Sequence, residues 1–162
     1  MNTITIRWKR LVNEKGQTCS RCGATGRTVQ SGVDKLKKAL AELGIEVILK
    51  TEFLDFPIFT KDPLQSNQIW VGEKLLEQWI GATVGQSPCC DVCAGSECRT
   101  LSIGNNTFEE IPENLIIQAG LLAAAELFAA RFPPFSALYH RAQNIPMPKI
   151  MFQLLKKSFF SV

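Results

Sequence analysis

Histidine and tyrosine are almost missing from this chain of 162 residues, with one of each. The single histidine, His140, lies between two proline-containing stretches and has no triad partner in the pattern around it, so it reads as an ordinary surface residue. Charge is also sparse, at 20% of residues against 46% hydrophobic, which is ample for one sizeable core. Acidic residues are absent from Phe132 onward, where Arg141, Lys149, Lys156 and Lys157 stand alone. The formal charge of +3 therefore belongs to the tail, and the body carries no nucleic-acid footprint.

Long apolar runs are lacking too. The most apolar one, Leu115 to Phe132, is interrupted by Gln118, Glu126 and Arg131, and reads as too short and too polar for a membrane span. The start, Ile4-Thr5-Ile6-Arg7-Trp8-Lys9, has the alternation of a strand and no signal-peptide core, which makes a reducing cytoplasm the expected compartment.

Against these absences stand six cysteines in two groups. Cys19 and Cys22 form a Cys-x-x-Cys in Thr18-Cys19-Ser20-Arg21-Cys22-Gly23. Cys89, Cys90, Cys93 and Cys98 crowd a second stretch rich in glycine. In a cytoplasmic chain such clusters are more often catalytic or metal-binding than structural bridges.

The surrounding pattern places the first group. A strand over 4–12 precedes it, and a helical stripe of Val29, Val33, Leu36, Leu40 and Leu43 follows it, with Gly44 as a left-handed cap. Gly26 predicts a helix that starts late. Ile45 to Lys50 is a second strand, so the first 55 residues read as a βαβ unit around the dithiol. Residues 55–67, with Pro57 and Pro63, read as a loop containing one helical turn. A tight hairpin is expected at Gly72-Glu73, between Gln68-Ile69-Trp70-Val71 and Lys74-Leu75-Leu76. No long regular element is expected through 81–99; short strands follow at 100–103 and 107–111. The last helix runs over 112–131, with Gly120 and Ala123-Ala124-Ala125 allowing close packing on a sheet.

At a strand-to-helix junction Cys19 gains from the positive end of the helix, which favours thiolate, and Arg21 is expected to push the same way. Cys19 would attack a substrate disulfide and Cys22 would resolve it. Cys-x-x-Cys-Gly is equally the shape of a zinc knuckle. Cys89, Cys90, Cys93 and Cys98 offer four soft ligands suited to zinc or another thiophilic metal, each needing to lie about 2.3 Å from it. Adjacent residues such as Cys89 and Cys90 point apart in extended chain, so both reach one ion only where the loop folds back sharply. A site of Cys19, Cys22, Cys90 and Cys93, or electron exchange between the two groups, remain alternatives. Buried, inert thiols are the plainest reading, strongest for Cys98.

Cys19-Ser20-Arg21-Cys22 in this β, Cys-x-x-Cys, α, β start, with the Trp70-Val71-Gly72-Glu73-Lys74 hairpin and a last helix, resembles the thioredoxin-like superfamily. Thr18-Cys19-Ser20-Arg21-Cys22-Gly23, Ser66-Asn67-Gln68-Ile69, Gly85-Gln86-Ser87-Pro88-Cys89-Cys90 and Ala119-Gly120-Leu121-Leu122 are similar, more narrowly, to a prokaryotic family known only as a domain of unknown function. The resemblance spans about residues 4–130. It implies an α/β fold, a mixed four-stranded sheet flanked by helices, with an inserted cysteine-rich loop at 85–99. Residues 1–132 would form this domain and 133–162 a basic, apolar extension. Thioredoxins place a cis-proline before the strand facing the dithiol; here Ser66-Asn67 stands there, and the 89–98 group has no counterpart in them.

The leading expectation is thiol–disulfide exchange on a protein or small-molecule disulfide through Cys19 and Cys22, needing no cofactor. The alternatives are a cysteine-rich module for zinc or a thiophilic metal, and an interaction protein docking on a partner or membrane surface through Ile150 to Phe160.

Overall fold

The computed structural model describes residues 2–89 and 93–131. The expectations placed on Cys90, His140, the Pro133-Pro134 helix stop and the tail lie outside these residues. The compact unit Met1–Leu127 contains both described cysteine groups.

Strand β1 (Asn2–Leu11) buries Ile4, Ile6, Trp8 and Leu11. Helix α1 (Ser20–Ala41) follows, then β2 (Ile45–Leu54), which pairs with β1 in parallel from Asn2↔Ile45 to Leu11↔Leu54. This is the expected βαβ unit. The apolar stripe of α1, with Val29, Val33, Leu36 and Leu40 at 2% exposure or less, supplies its contact with the sheet and with the last helix. Each such side chain contributes about 1.5–3 kcal/mol by leaving water. Gly44 adopts φ 66°, and its N–H reaches Ala41 O at 2.9 Å, so it turns the chain at the helix end as its position predicted.

The start of α1 departs from expectation. The helix begins at Ser20, and Gly23 and Gly26 lie inside it. Gly26 is there because β1 passes close by: a Cβ at this position would collide with the Trp8 indole ring. A close approach, and no late start, accounts for this glycine.

Beyond β2 come α2 (Phe56–Lys61), capped by the Asp55 carboxylate on Ile58 N–H at 2.8 Å, and a 3-10 turn over Pro63–Gln65. The expected loop is therefore more helical than its prolines suggested, each proline sitting where a helix start leaves its missing N–H harmless. Strands β3 (Ile69–Val71) and β4 (Lys74–Leu75) form the expected hairpin around Gly72, which has φ 60°. The sheet order is β2-β1-β3-β4, with β3 antiparallel to β1 and to β4.

Helix α3 (Leu76–Ile80) leads into a second sheet of β5 (Thr83–Pro88), β6 (Glu97–Ile103) and β7 (Asn106–Phe108), all antiparallel. The six-residue β5 was not foreseen. Its glycine and proline are tolerated because it is an edge strand, and Gly85 lies against Thr100 Oγ1, 2.9 Å from where a Cβ would sit. β7 stops earlier than expected because Ile111 turns inward, wholly buried, its N–H donating to Thr25 Oγ1 on α1 at 3.1 Å.

Helix α4 (Glu113–Arg131) buries Leu115, Ile116, Ala119, Ala123 and Ala124. A Cβ at Gly120 would strike Leu36, and one at Gly32 would lie 3.3 Å from Ile116, so these two glycines serve helix-on-helix packing between α1 and α4. By length and composition alone α4 is apolar enough to cross a membrane; the apolar face named here is core.

A buried ion pair ties the second sheet to helix α3. Arg99 on β6 donates to the Glu77 carboxylate on α3 and to Leu64 O at 3.2 Å. Both charged residues are at least nine-tenths buried.

Candidate functional site: a buried cluster of thiols

Cys19 is the N-cap of α1. Its backbone is extended, with φ −69° and ψ 163°, and its sulfur accepts the Cys22 N–H at 3.4 Å. Thr18, just before it, donates to Leu11 O at 2.7 Å and ties this turn to the end of β1. Cys22 is one turn further along, so the two sulfurs face the same side of the helix start.

The inserted hairpin brings the second group over them. The chain between β5 and β6 folds back through Ala94 and Gly95, both with positive φ (49° and 71°), closed by Ser96 N–H on Cys93 O at 3.0 Å and Cys89 N–H on Ser96 O at 3.2 Å. This supplies the sharp reversal that ligands so near in sequence require. Cys89 Sγ then lies 3.9 Å from Cys19 Sγ, and Cys98 Sγ lies 3.6 Å from Cys93 Sγ. The sulfurs of Cys19, Cys89 and Cys93 all lie within 4.8 Å of one another.

Around them the environment is apolar. Leu11, Phe59 and the four thiols of Cys19, Cys22, Cys93 and Cys98 form one buried cluster, with Cys89 packed against it and half-exposed. Such a site strengthens hydrogen bonds to charge and penalises unpaired charge.

The thiols respond unequally. The Cys22 thiol and then its amide donate to Cys19 and hold its pKa at about 5, against burial, with further help from Cys89 and Cys93. Cys22 is pushed well above the usual thiol range because its proton is held by Cys19 and because it is buried; Ser66 opposes this. Burial, then the Cys89 contact, raises Cys93, and burial raises Cys98 to about 12. The geometry favours an anionic sulfur at Cys19, beside the protonated thiols of Cys22, Cys93 and Cys98.

Arg21 does not play its expected part beside the thiols. It turns to the hairpin, donating to Ser87 Oγ at 3.0 Å, Pro88 O at 3.2 Å and Arg99 O at 3.3 Å. It is a latch that fixes the strand carrying Cys89. Its spacing within the Cys-x-x-Cys gave no sign of this, because the partners are 66 to 78 residues away.

Ser66 was visible in the sequence only as an absent proline. Its hydroxyl lies 3.3 Å from Cys22 Sγ and accepts the Leu11 N–H at 3.2 Å. Asn67 beside it has φ 64°, and its side-chain Oδ1 accepts the Trp8 indole N–H at 3.2 Å. An asparagine tolerates that left-handed turn.

The structure thus brings Cys19, Cys22, Cys89, Cys93 and Cys98 together, whereas the expected metal set of Cys89, Cys90, Cys93 and Cys98 includes one residue outside the described ones. A groove beside α1, lined by Trp8, Arg10, Arg27, Lys35 and Phe53 among others, contains none of these cysteines.

Two comparisons with known proteins give matches to this chain. A family model described as "Domain of unknown function (DUF2703)" matches residues 4–120. An "Uncharacterized protein" of Archaeoglobus fulgidus is 43% identical over 113 residues, covering 70% of this chain and 82% of that relative. No solved structure matches.

Proposed function

We propose that this chain, which belongs to the DUF2703 family, is a thioredoxin-like protein that performs thiol–disulfide exchange through Cys19 and Cys22 in the cytoplasm. The observation that carries this reading is the cap geometry, in which the Cys22 N–H points at Cys19 Sγ from the first turn of α1. The order β2-β1-β3-β4, with only the first pair parallel and the dithiol directly after the first strand, supports the thioredoxin-like assignment. Ser66-Asn67, facing the dithiol before β3, takes the place where those proteins carry proline.

The chemistry follows from the asymmetry of the pair. The Cys19 thiolate attacks one sulfur of the disulfide delivered to it, and one substrate sulfur leaves as thiolate. Cys22 then gives its proton to that thiolate or to solvent and attacks Cys19 Sγ. A Cys19–Cys22 disulfide forms, the second substrate sulfur departs, and the substrate is reduced by two electrons. Ser66 Oγ can donate to the Cys22 sulfur as its charge develops. The test is to oxidise the reduced protein with oxidised glutathione and map its disulfides. A Cys19–Cys22 bond with a defined reduction potential supports exchange; a pair that never closes refutes it.

A second reading rests on the three sulfurs within 4.8 Å. Thiolates about 2.3 Å from a zinc ion lie about 3.8 Å from one another. The Cys19–Cys89 distance already matches this, and Cys98 stands next to Cys93 as a fourth donor. Zinc or another thiophilic cation bound there would occupy Cys19 and silence exchange. Metal analysis of the purified protein, and zinc uptake by the reduced form, decide it: metal-free protein that takes up no zinc and keeps its fold in chelator removes this reading.

A further inference from the structure

We infer that Cys89 is the thiol through which disulfides reach the buried Cys19–Cys22 pair. The inference rests on the exchange reading and concerns how that site meets its substrate.

Exchange demands that one sulfur approach a disulfide in line, with little tolerance for intervening atoms. Cys19 is 2% exposed and Cys22 1% exposed, so neither can meet an outside disulfide in this structure. Cys93 and Cys98 are equally covered, at 0% and 3%. Cys89, partly buried, is the one thiol among the described residues that is not fully covered. It is also in contact with the reactive sulfur, 3.9 Å from Cys19 Sγ. One side of Cys89 therefore faces solvent and the other faces Cys19.

Its position is held from three directions. Arg21 binds Ser87 and Pro88, the two residues before it, and the Cys89 N–H is fixed to Ser96 O. The Ser87 hydroxyl donates in turn to the Glu109 carboxylate at 2.7 Å, which also lies 3.9 Å from Arg21 Nε. A covering loop without function needs no thiol pointing at the dithiol. A latched hairpin that presents one is a relay.

The steps balance as three exchanges. Cys89 gives up its proton to solvent and attacks a substrate disulfide; one substrate sulfur leaves as thiolate and the other stays bonded to Cys89. The Cys19 thiolate attacks Cys89 Sγ, releasing the second substrate thiolate and forming a Cys19–Cys89 disulfide. Cys22, losing its proton, attacks Cys19 Sγ, which forms Cys19–Cys22 and returns Cys89 as thiolate. Two electrons pass to the substrate and Cys89 is regenerated. The substrate class is an exposed disulfide, which need not enter the protein at all.

Rapid mixing of reduced protein with oxidised glutathione, acid quenching and mass spectrometry with fragment mapping test the order of events, in a Cys90→Ser background so that adducts are assigned unambiguously. The expected sequence is a glutathione adduct on Cys89 followed by the Cys19–Cys22 disulfide. Cys22→Ser is expected to stop at a Cys19–Cys89 disulfide carrying no glutathione, a readout that does not depend on the Cys89 variant folding. Cys89→Ser is expected to slow Cys19–Cys22 closure by about tenfold or more. Closure at an unchanged rate in Cys89→Ser, or a first adduct on Cys19, overturns the relay while leaving exchange intact. A parent protein that never forms Cys19–Cys22 overturns the exchange reading itself.

Discussion

The hydroxyl of Ser66 stands 3.3 Å from the sulfur of Cys22 while accepting the backbone N–H of Leu11, so one side chain serves both the dithiol and the end of β1. Its replacement separates two consequences. Ser66→Ala leaves a buried N–H without its acceptor, at a cost of about 1–3 kcal/mol measurable by denaturant unfolding. It also removes a contact that lowers the Cys22 pKa, so the thiol rises further and closure of Cys19–Cys22 slows. Unchanged stability together with an unchanged closure rate would show that this hydroxyl does neither.

The opposite shifts of the thiols predict how stability depends on pH in the reduced, metal-free protein. Cys19 is held at about 5 when folded, below its ordinary value of 9.0, so between these the unfolded chain binds more protons and stability rises with pH. Its contribution is lost as pH falls through about 5. Cys22, Cys93 and Cys98 are shifted upward, so above 9.0 the unfolded chain loses protons that the folded one keeps, and stability falls. Unfolding free energies across this range should pass through a maximum near pH 9, and far-ultraviolet thiolate absorbance should show one group titrating near pH 5. Absence of that low-pH step would contradict the assignment of Cys19 as the anion.

Arg21 holds the hairpin shut through three acceptor residues, Ser87, Pro88 and Arg99. Hydrogen bonds from a charged group are worth about 1.5–3 kcal/mol each in favourable settings, so Arg21→Ala should cost at least that much. Its sharper signature is access: alkylation of Cys19 by a small reagent should accelerate while the helix content stays. Lysine cannot restore the latch, because it lacks the planar fork that spans several carbonyls.

Gly26→Ala tests the passage of Trp8 across α1. The added methyl group would strike the indole, and overpacking of this kind costs about 1–3 kcal/mol. The Trp8 indole also donates to Asn67 next to Ser66, so movement of the ring should be felt at the dithiol. A shift in tryptophan fluorescence together with a changed rate of Cys19–Cys22 closure is expected.

Much of the frame was legible because it depends on local pattern. The alternation in β1, the stripe Val29, Val33, Leu36 and Leu40, the left-handed Gly44 and the Gly72-Glu73 turn each state their structure within a few residues; Leu43, expected to continue the stripe, lies past the helix end and is exposed. The misreadings arose where a residue answers to something far away. Gly26 looked like a helix boundary and is a contact with Trp8. Gly85 and Pro88 looked like loop and belong to an edge strand. Arg21 looked like a neighbour of thiols and is a neighbour of carbonyls on another sheet.

The sequence by itself determined that sulfur is the chemistry on offer, and that Cys19 and Cys22 lie between a strand and a helix; that they share the helix's first turn was hidden by Gly26, which reads as a boundary until Trp8 is found against it. It could not determine that the second group closes over the first. That outcome depends on β5 pairing with β6, on Ala94 and Gly95 reversing the chain, and on Arg21 anchoring the hairpin across 66 residues or more. Contacts of that separation leave no local signal, because each partner satisfies its own surroundings equally well without naming the other. Only the tertiary structure put Cys89 against Cys19 and covered the dithiol.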